Sequence, residues 1–307
     1  MDLARLWLDD CARNHKSCRI GSSPLPKRVL HVGSDEAEPR LHISCGEQGK
    51  YIALSHCWGD RSLLMTTENA TLEQREQAIP FVHLPKTFQD AITVARALGI
   101  EYLWIDSLCI VQDDEADWDE ESMKMADIYS HATLTISADD ASNATEGFLG
   151  LRNDPRAKMS IPIAYSAELG HEDGTIYARR GAETRKREKY DNGFYALADT
   201  HVGAMTVHHL DTRGWTFQER LLAPRTLHYT AAEMVFECKE DLDLEPPNSP
   251  IHDYSRYSPV RSSPIWSTIV QNFTSRNLTL PKDRLPAVAG VAMSFQPYTD
   301  EDYLYGL

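Results

Sequence analysis

The chain is short of basic residues. Lysine and arginine number 31 against 46 aspartates and glutamates, a formal net charge of −15 over 307 residues. Nucleic-acid binders present a basic face to neutralise phosphates, so no nucleic-acid partner is expected. The one basic run, Arg179, Arg180, Arg185, Lys186, Arg187 and Lys189, is interrupted by Glu183 and Glu188 and reads as a solvated loop. Long apolar stretches are missing too. A membrane span needs about 18 or more consecutive apolar residues, and none occurs. Asp9, Asp10 and Arg13 interrupt the apolar pattern of the N-terminus, which argues against a secretory leader. Cysteine is sparse and has no framework spacing, the usage of a reducing interior rather than a disulfide scaffold. A cytoplasmic protein is expected, and the Asn-x-Thr sites at Asn69, Asn143, Asn272 and Asn277 are then chance.

What is present is an alternation of strands and helices. Tyr51-Ile-Ala-Leu-Ser55 reads as a buried strand running directly into His56-Cys57-Trp58-Gly59-Asp60-Arg61. Gly59 permits a tight backbone there, Trp58 offers a flat face, and Arg61 suits an anion. Pro85 opens a helix over 86–98 with Phe88, Ile92, Ala95 and Leu98 inward, and Gly99 stops it. A strand over 101–106 follows. A right-handed crossover makes the two strands parallel, so Ser55–Trp58 and Asp106–Ser107 would flank one crevice. An acidic loop over 112–117 leads into a helix near Trp118, which buries Trp118, Ser122, Met125 and Tyr129 and carries Glu121 in its first turn. A carboxylate there is favoured by the helix dipole even when it only faces water.

Further strands are expected over 28–32, 41–44, 132–136, 161–165 and 175–179, with a hairpin of 225–229 and 234–238. Helices are expected over 1–16, around Trp215 to Leu222, and over 265–273 and 282–295. Residues 68–84 and 241–263 read as loops and 181–210 as irregular. The chain ends abruptly after Tyr303-Leu-Tyr-Gly-Leu307, as a fragment of a longer protein would. Cys11, His15 and Cys18 form a C-x3-H-x2-C cluster of zinc-ligand type. A fourth ligand is not evident, Cys45 and Cys57 being candidates. Buried thiols at a helix end explain the cluster without metal, and no cofactor is expected.

Four blocks resemble the fungal heterokaryon-incompatibility domain: YIALSHCWGD at 51–60, the stretch 84–114 with 117–138, RGWTFQERLLAPRTLHY at 213–229 and DRLPAVAGVA at 283–292. The W-x3-C-x3-H-x2-C run from Trp7 to Cys18 is similar to the segment that often precedes it. The resemblance implies a cytoplasmic role in non-self recognition and programmed cell death. It divides the chain into a leading segment, 1–50, and a domain, 51–307, with a core over 51–140 and family-specific additions over 141–307. The 51–60 and 101–125 blocks also resemble TIR domains, which implies an α/β fold with a TIR-like or flavodoxin-like parallel-sheet core, an added β-hairpin and added helices. NAD-cleaving TIR members have Trp-x3-Glu where this chain has Trp118-x2-Glu121, so Ser122 holds the strict position and Glu120 is a rival.

Cleaving the nicotinamide–ribose bond passes through an oxocarbenium-like state, as glycoside cleavage does. A carboxylate beside the ribose stabilises it, and nicotinamide leaves without a general acid. The resemblance therefore implies NAD+ hydrolysis with Glu121 as the catalytic carboxylate, Trp58 or Trp118 as a wall, and Ser55, His56, Arg61 and Asp106 as substrate-binding groups. Gln218, Glu219 and Arg220 either reach the same pocket or clamp the core to the later hairpin. Self-association into a homo-oligomer would switch the activity on. The alternative is a non-catalytic death-signalling module that recruits partners. A thiol hydrolase built on Cys57 or Cys109 with His56 lacks a Gly-rich nucleophile turn, and the adjacent His56 and Cys57 point to opposite faces in strand geometry.

Overall fold

The computed structural model describes residues 1–16, 18, 21–150, 160–165, 174–179, 209–231, 234–239, 242–244 and 263–296. In chain order its elements are helix α1 (Asp2–Asn14), strands β1 (Ser23–Pro24), β2 (Arg28–His31), β3 (Arg40–Ile43), β4 (Gln48–Gly49) and β5 (Tyr51–Ser55), helices α2 (Asn69–Gln77) and α3 (Lys86–Leu98), strand β6 (Tyr102–Trp104), helices α4 (Asp106–Cys109) and α5 (Glu115–His131), strands β7 (Leu134–Ser137), β8 (Ser160–Tyr165) and β9 (Gly174–Arg179), helix α6 (Gly214–Leu222), strands β10 (Arg225–Tyr229), β11 (Met234–Cys238) and β12 (Leu242–Leu244), and helices α7 (Ser263–Thr274) and α8 (Pro286–Phe295).

Eight strands form one mixed sheet in the order β12-β11-β10-β7-β5-β6-β2-β3. The central four, β10, β7, β5 and β6, run parallel, and the outer strands pair antiparallel. The α/β class and the parallel pairing of β5 with β6 match the sequence reading. Alternation along each strand sorts side chains to two faces. Ile52, Leu54, Leu103, Leu134, Ile136 and Leu227 pack with Phe88, Ile92 and Ala95 of α3 and with Ala4, Trp7 and Cys11 of α1. On the opposite face Tyr51, Ala53 and Trp104 pack with Met125, Ile128 and Tyr129 of α5. Helices α6, α7 and α8 meet through Phe217, Phe273, Ile269, Val288 and Val291. Apart from this sheet, β1 pairs with β4 and β8 with β9.

The structure corrects several expected boundaries. Helix α5 starts at Glu115, because Asp114 caps it by accepting from the Ala116 and Asp117 amides. Glu121 therefore lies in the second turn, and the buried face is Asp117, Glu121, Ser122, Met125, Ile128 and Tyr129, with Trp118 only half-buried. Strand β6 ends at Trp104, and Asp106 opens α4 by accepting from its neighbour's amide. Within the expected loop 68–84 lies α2, fixed by a capping box between Glu68 and Thr71. It buries no residue, so no apolar stripe announces it. Strand β12 falls inside the expected loop 241–263. The last helix starts at Pro286, since residues 281–283 make a separate 3-10 turn. The expected irregular segment 181–210 lies almost wholly outside the described residues. No helix among the described residues is long and apolar enough to cross a membrane.

Candidate active site

The chain leaves β5 toward α3 on one face of the sheet and leaves β6 toward α5 on the other. Divergence of two adjacent parallel strands opens a crevice at their C-terminal ends. Asp106, the first residue of α4, is partly exposed there. The Trp58 indole Nε1 donates to Asp106 Oδ2 at 2.8 Å, and His56 Nδ1 lies 3.9 Å from Asp106 Oδ1. The His56 ring meets Phe88 edge-on at 5.1 Å. Burial drives its pKa down to about 4, so the ring is neutral at physiological pH. Neither ring nitrogen has a hydrogen-bond partner among the described residues. The Arg61 guanidinium sits 5.5 Å from the Trp58 ring centroid, a cation–π arrangement open to solvent. Gly59 turns the loop with φ +69°, and a Cβ there would strike Asn143.

The α5 face of the sheet grows more polar toward this edge. Register puts Trp104, Ala53, Thr135 and Thr226 in one row across four strands, and Ser55, Ser137 and His228 in the next. Glu219 of α6 comes down on these rows and is buried. Burial first, and then the neighbouring Asp106 carboxylate, push its pKa up to about 7, against the opposing effects of the Ser55 hydroxyl, Arg213 and Tyr129. Its Oε2 has no hydrogen-bond partner among the described residues. Arg213 Nη1 donates to the His56 carbonyl at 2.6 Å, and the Tyr129 hydroxyl donates to the Leu54 carbonyl at 3.1 Å. A carboxyl poised near neutral pH in a buried strand-end site is the kind of group that enzymes use for charge and proton work.

A second polar chain runs sideways from the crevice. The Ser137 hydroxyl donates to Asp139 at 2.6 Å, and His228 Nδ1 lies 2.8 Å from the other Asp139 oxygen. His228 Nε2 and Arg220 Nε both lie 3.1 Å from Glu237 Oε2. Burial opposes a charge on His228, but Asp139 and Glu237 outweigh it and raise its pKa to about 9. Burial likewise opposes the Glu237 charge, and Arg220 and His228 overcome it, holding that carboxyl well below its ordinary range. The chain is thus an alternation of fixed charges, ordered by paired hydrogen bonds.

A model of the heterokaryon incompatibility protein (HET) family matches residues 51–219. The chain belongs to the HET family. No curated protein and no solved structure matches it. The HET match contains every crevice residue described so far, from Ser55 through Asp106 to Arg213 and Glu219. It leaves Arg220, His228, Glu237 and the last helices outside.

Among the site residues expected from sequence, the HET fold gathers Ser55, His56, Trp58, Arg61 and Asp106 at the strand ends. Glu121 is 0 % exposed. Its Oε1 accepts from Lys124 Nζ at 3.2 Å, and its Oε2 has no partner among the described residues. The rival Glu120 is exposed and pairs with Lys27 and Lys124 at 3.0 and 2.7 Å. Ser122 donates to the Asp119 carbonyl. Trp118 packs at the edge of the α5 core, with Lys282 Nζ 5.1 Å from its ring centroid. Gln218 accepts from the Gly290 amide at 3.0 Å and ties α6 to α8, while Arg220 ties α6 to the β10–β11 hairpin through Glu237. Sequence reasoning missed Arg213, Asp139, His228 and Glu237. Arg213 and His228 lie inside the HET-like block 213–229, and their only other signal is polarity at buried strand and helix positions.

Proposed function

We propose that this HET chain is a cell-death effector of fungal non-self recognition that hydrolyses NAD+ in the crevice at the β5 and β6 ends. The parallel quartet of central strands with helices on both faces supports a TIR-like or flavodoxin-like reading of the core. The observation that carries the proposal is the buried Glu219 carboxyl, with one oxygen unpartnered among the described residues, beside Ser55 and Asp106. As the C1′–N bond breaks, nicotinamide leaves as a neutral molecule with the bonding pair, and positive charge develops on the ribose. Ionised Glu219 opposes that charge in a site with little water to screen it. Water then adds to C1′ and releases a proton, giving ADP-ribose. Trp58 supplies a flat wall, and Arg61 at the rim suits the diphosphate. Glu121, to which the TIR resemblance points, is a second buried carboxylate; one oxygen accepts from Lys124 and the other has no partner among the described residues. Self-association is the proposed switch.

The test incubates the purified chain with NAD+ and follows nicotinamide and ADP-ribose by mass spectrometry. Glu219→Gln should abolish turnover while circular dichroism stays native. Loss in Glu121→Gln alone would move the chemistry to α5 and overturn the assignment to Glu219. Absence of product from the wild type at high, self-associated concentration would end the NAD+ reading and leave a non-catalytic assembly module. If Glu219 acts as the anion, wild-type turnover should climb as pH rises through about 7.

A further inference from the structure

Cys11, His15, Cys18 and Cys238 bring one ligand atom each to within 4.8 Å of one another. The sequence displays only the first three. Of its two candidates for a fourth, Cys45 is exposed at a turn, and Cys57 lies buried beside Arg213. The fourth thiol comes instead from the last residue of β11, more than 200 positions along the chain. We infer that these four side chains form a closed structural zinc site of the Cys3His type, which ties the N-terminal helix to the β10–β11 hairpin.

The geometry is built from both sides. Cys11 and His15 are four residues apart, one above the other on a single face of α1 and its cap. The Trp7 ring on the same face stacks on Phe236 at 6.1 Å. Phe236 and Cys238 alternate onto one face of β11, so the aromatic pair brings the thiol to the helix end. Cys238 Sγ lies 3.3 Å from His15 Nδ1. A tetrahedral ion with metal–sulfur bonds of about 2.3 Å sets its sulfurs roughly 3.8 Å apart, a small contraction of the observed cluster. Three sulfurs and one imidazole in a tetrahedron favour zinc over hard cations, which take oxygen. All four positions are filled by protein, so the ion has no open position for chemistry.

The surroundings balance the charge. A zinc dication with three thiolates carries one net negative charge. Arg225, buried beside the cluster, supplies one positive charge. Its Nε donates to Cys11 Sγ at 3.1 Å, its Nη2 to the Cys18 carbonyl and its Nη1 to the Thr133 carbonyl at 3.2 Å. Arg225 also faces Cys238 across the hairpin. Such outer partners orient metal ligands and tune their basicity.

The full-length chain, purified from zinc-supplemented cells, should hold about one zinc per molecule by mass spectrometry of the metal. Cys238→Ser should lose it, and Cys45→Ser should keep it. Zinc-free wild type, or zinc retained undiminished in Cys238→Ser, would overturn the four-ligand assignment. Because Cys238→Ser disturbs the hairpin, cobalt provides a second reading on the intact wild type. After chelation and titration with Co2+, the intense visible absorption of tetrahedral thiolate coordination supports the site, and a weak octahedral spectrum or none overturns it. Both readings stand apart from NAD+ turnover.

Discussion

Glu219→Gln should change the pH dependence of stability in a way that no surface carboxylate can. In the unfolded chain this carboxyl titrates near its ordinary value of 4.5, and in the folded chain near 7. The folded pKa is the higher, so the folded state holds the proton more tightly. That contribution to stability is full below about pH 4.5 and is lost as pH rises through about 7. At one pKa unit per roughly 1.4 kcal/mol, burying the group, protonated below its folded pKa and ionised above it, costs roughly 1 kcal/mol at pH 5 and roughly 3 kcal/mol at pH 8. The neutral amide of Gln has the same shape and no such cost. Guanidinium unfolding of the two proteins, at matched ionic strength and at unit steps from pH 5 to 8, isolates the effect as a difference. Relative to wild type, Glu219→Gln should gain about 2 kcal/mol across that window. A difference that stays flat would mean that Glu219 is either ionised at little cost or exposed, and the account of the crevice as a dry site would fail. Adding Asp106→Asn to the wild type should lower the Glu219 titration, since the Asp106 charge helps to raise it.

Three further outcomes follow from other buried groups. Asp117 binds Lys27 at 2.8 Å, the Val111 amide at 2.9 Å and the Arg28 guanidinium; Asp117→Ala leaves Arg28 buried without its anion and should cost about 3 kcal/mol by chemical denaturation. Burial opposes the charge of Asp117, yet Arg28 and Lys27 hold its pKa at about 2, so the wild-type advantage over the variant should persist above pH 4 and disappear as pH falls toward 2. Asp139→Asn should return the His228 titration, read by NMR, from about 9 toward its ordinary 6.5. The wild type would then lose stability relative to this variant as pH rises from 6.5 through 9. Gly290→Ala places a Cβ against Ala126 and 2.6 Å from Gln218 Oε1, and should cost about 1–3 kcal/mol from overpacking, read as a lowered Tm.

The strands and helices that frame the crevice are legible in the sequence because each obeys a strong local rule. Tyr51–Ser55 is an unbroken buried run, and Lys86–Leu98 has a proline before it, an apolar stripe and a glycine in the left-handed region after it. Parallel pairing follows from the helix between the two strands, and with it the meeting of Ser55 and Trp58 with Asp106. Legibility ends where long-range placement begins. Nothing local says that α6 lies over the β5 end, so Glu219 could be named only beside Gln218 and Arg220 as one of three. Nothing local links Cys238 to Cys11. Helix α2 was hidden for a different reason: with Leu72 its one large apolar residue, it is held by its cap and by the Asn69 amide donating to Asp113 at 2.8 Å, features that periodicity does not register.

Helix α6 explains why so many of these groups depend on one another. Successive residues of a helix point about 100° apart, and α6 spends three in a row on three neighbours. Gln218 holds the α8 backbone at Gly290, Glu219 descends into the strand-end crevice, and Arg220 reaches Glu237 on β11. A rotation of α6 large enough to withdraw Glu219 must break the other two contacts as well. The hairpin that receives Arg220 also carries Arg225 and Cys238 on to α1. Glu237, which receives Arg220, and Cys238 of the N-terminal cluster are consecutive residues of β11, so α6 and α1 both hold the open end of one hairpin. Displacement of α1 would reach Glu219 through β11 and α6.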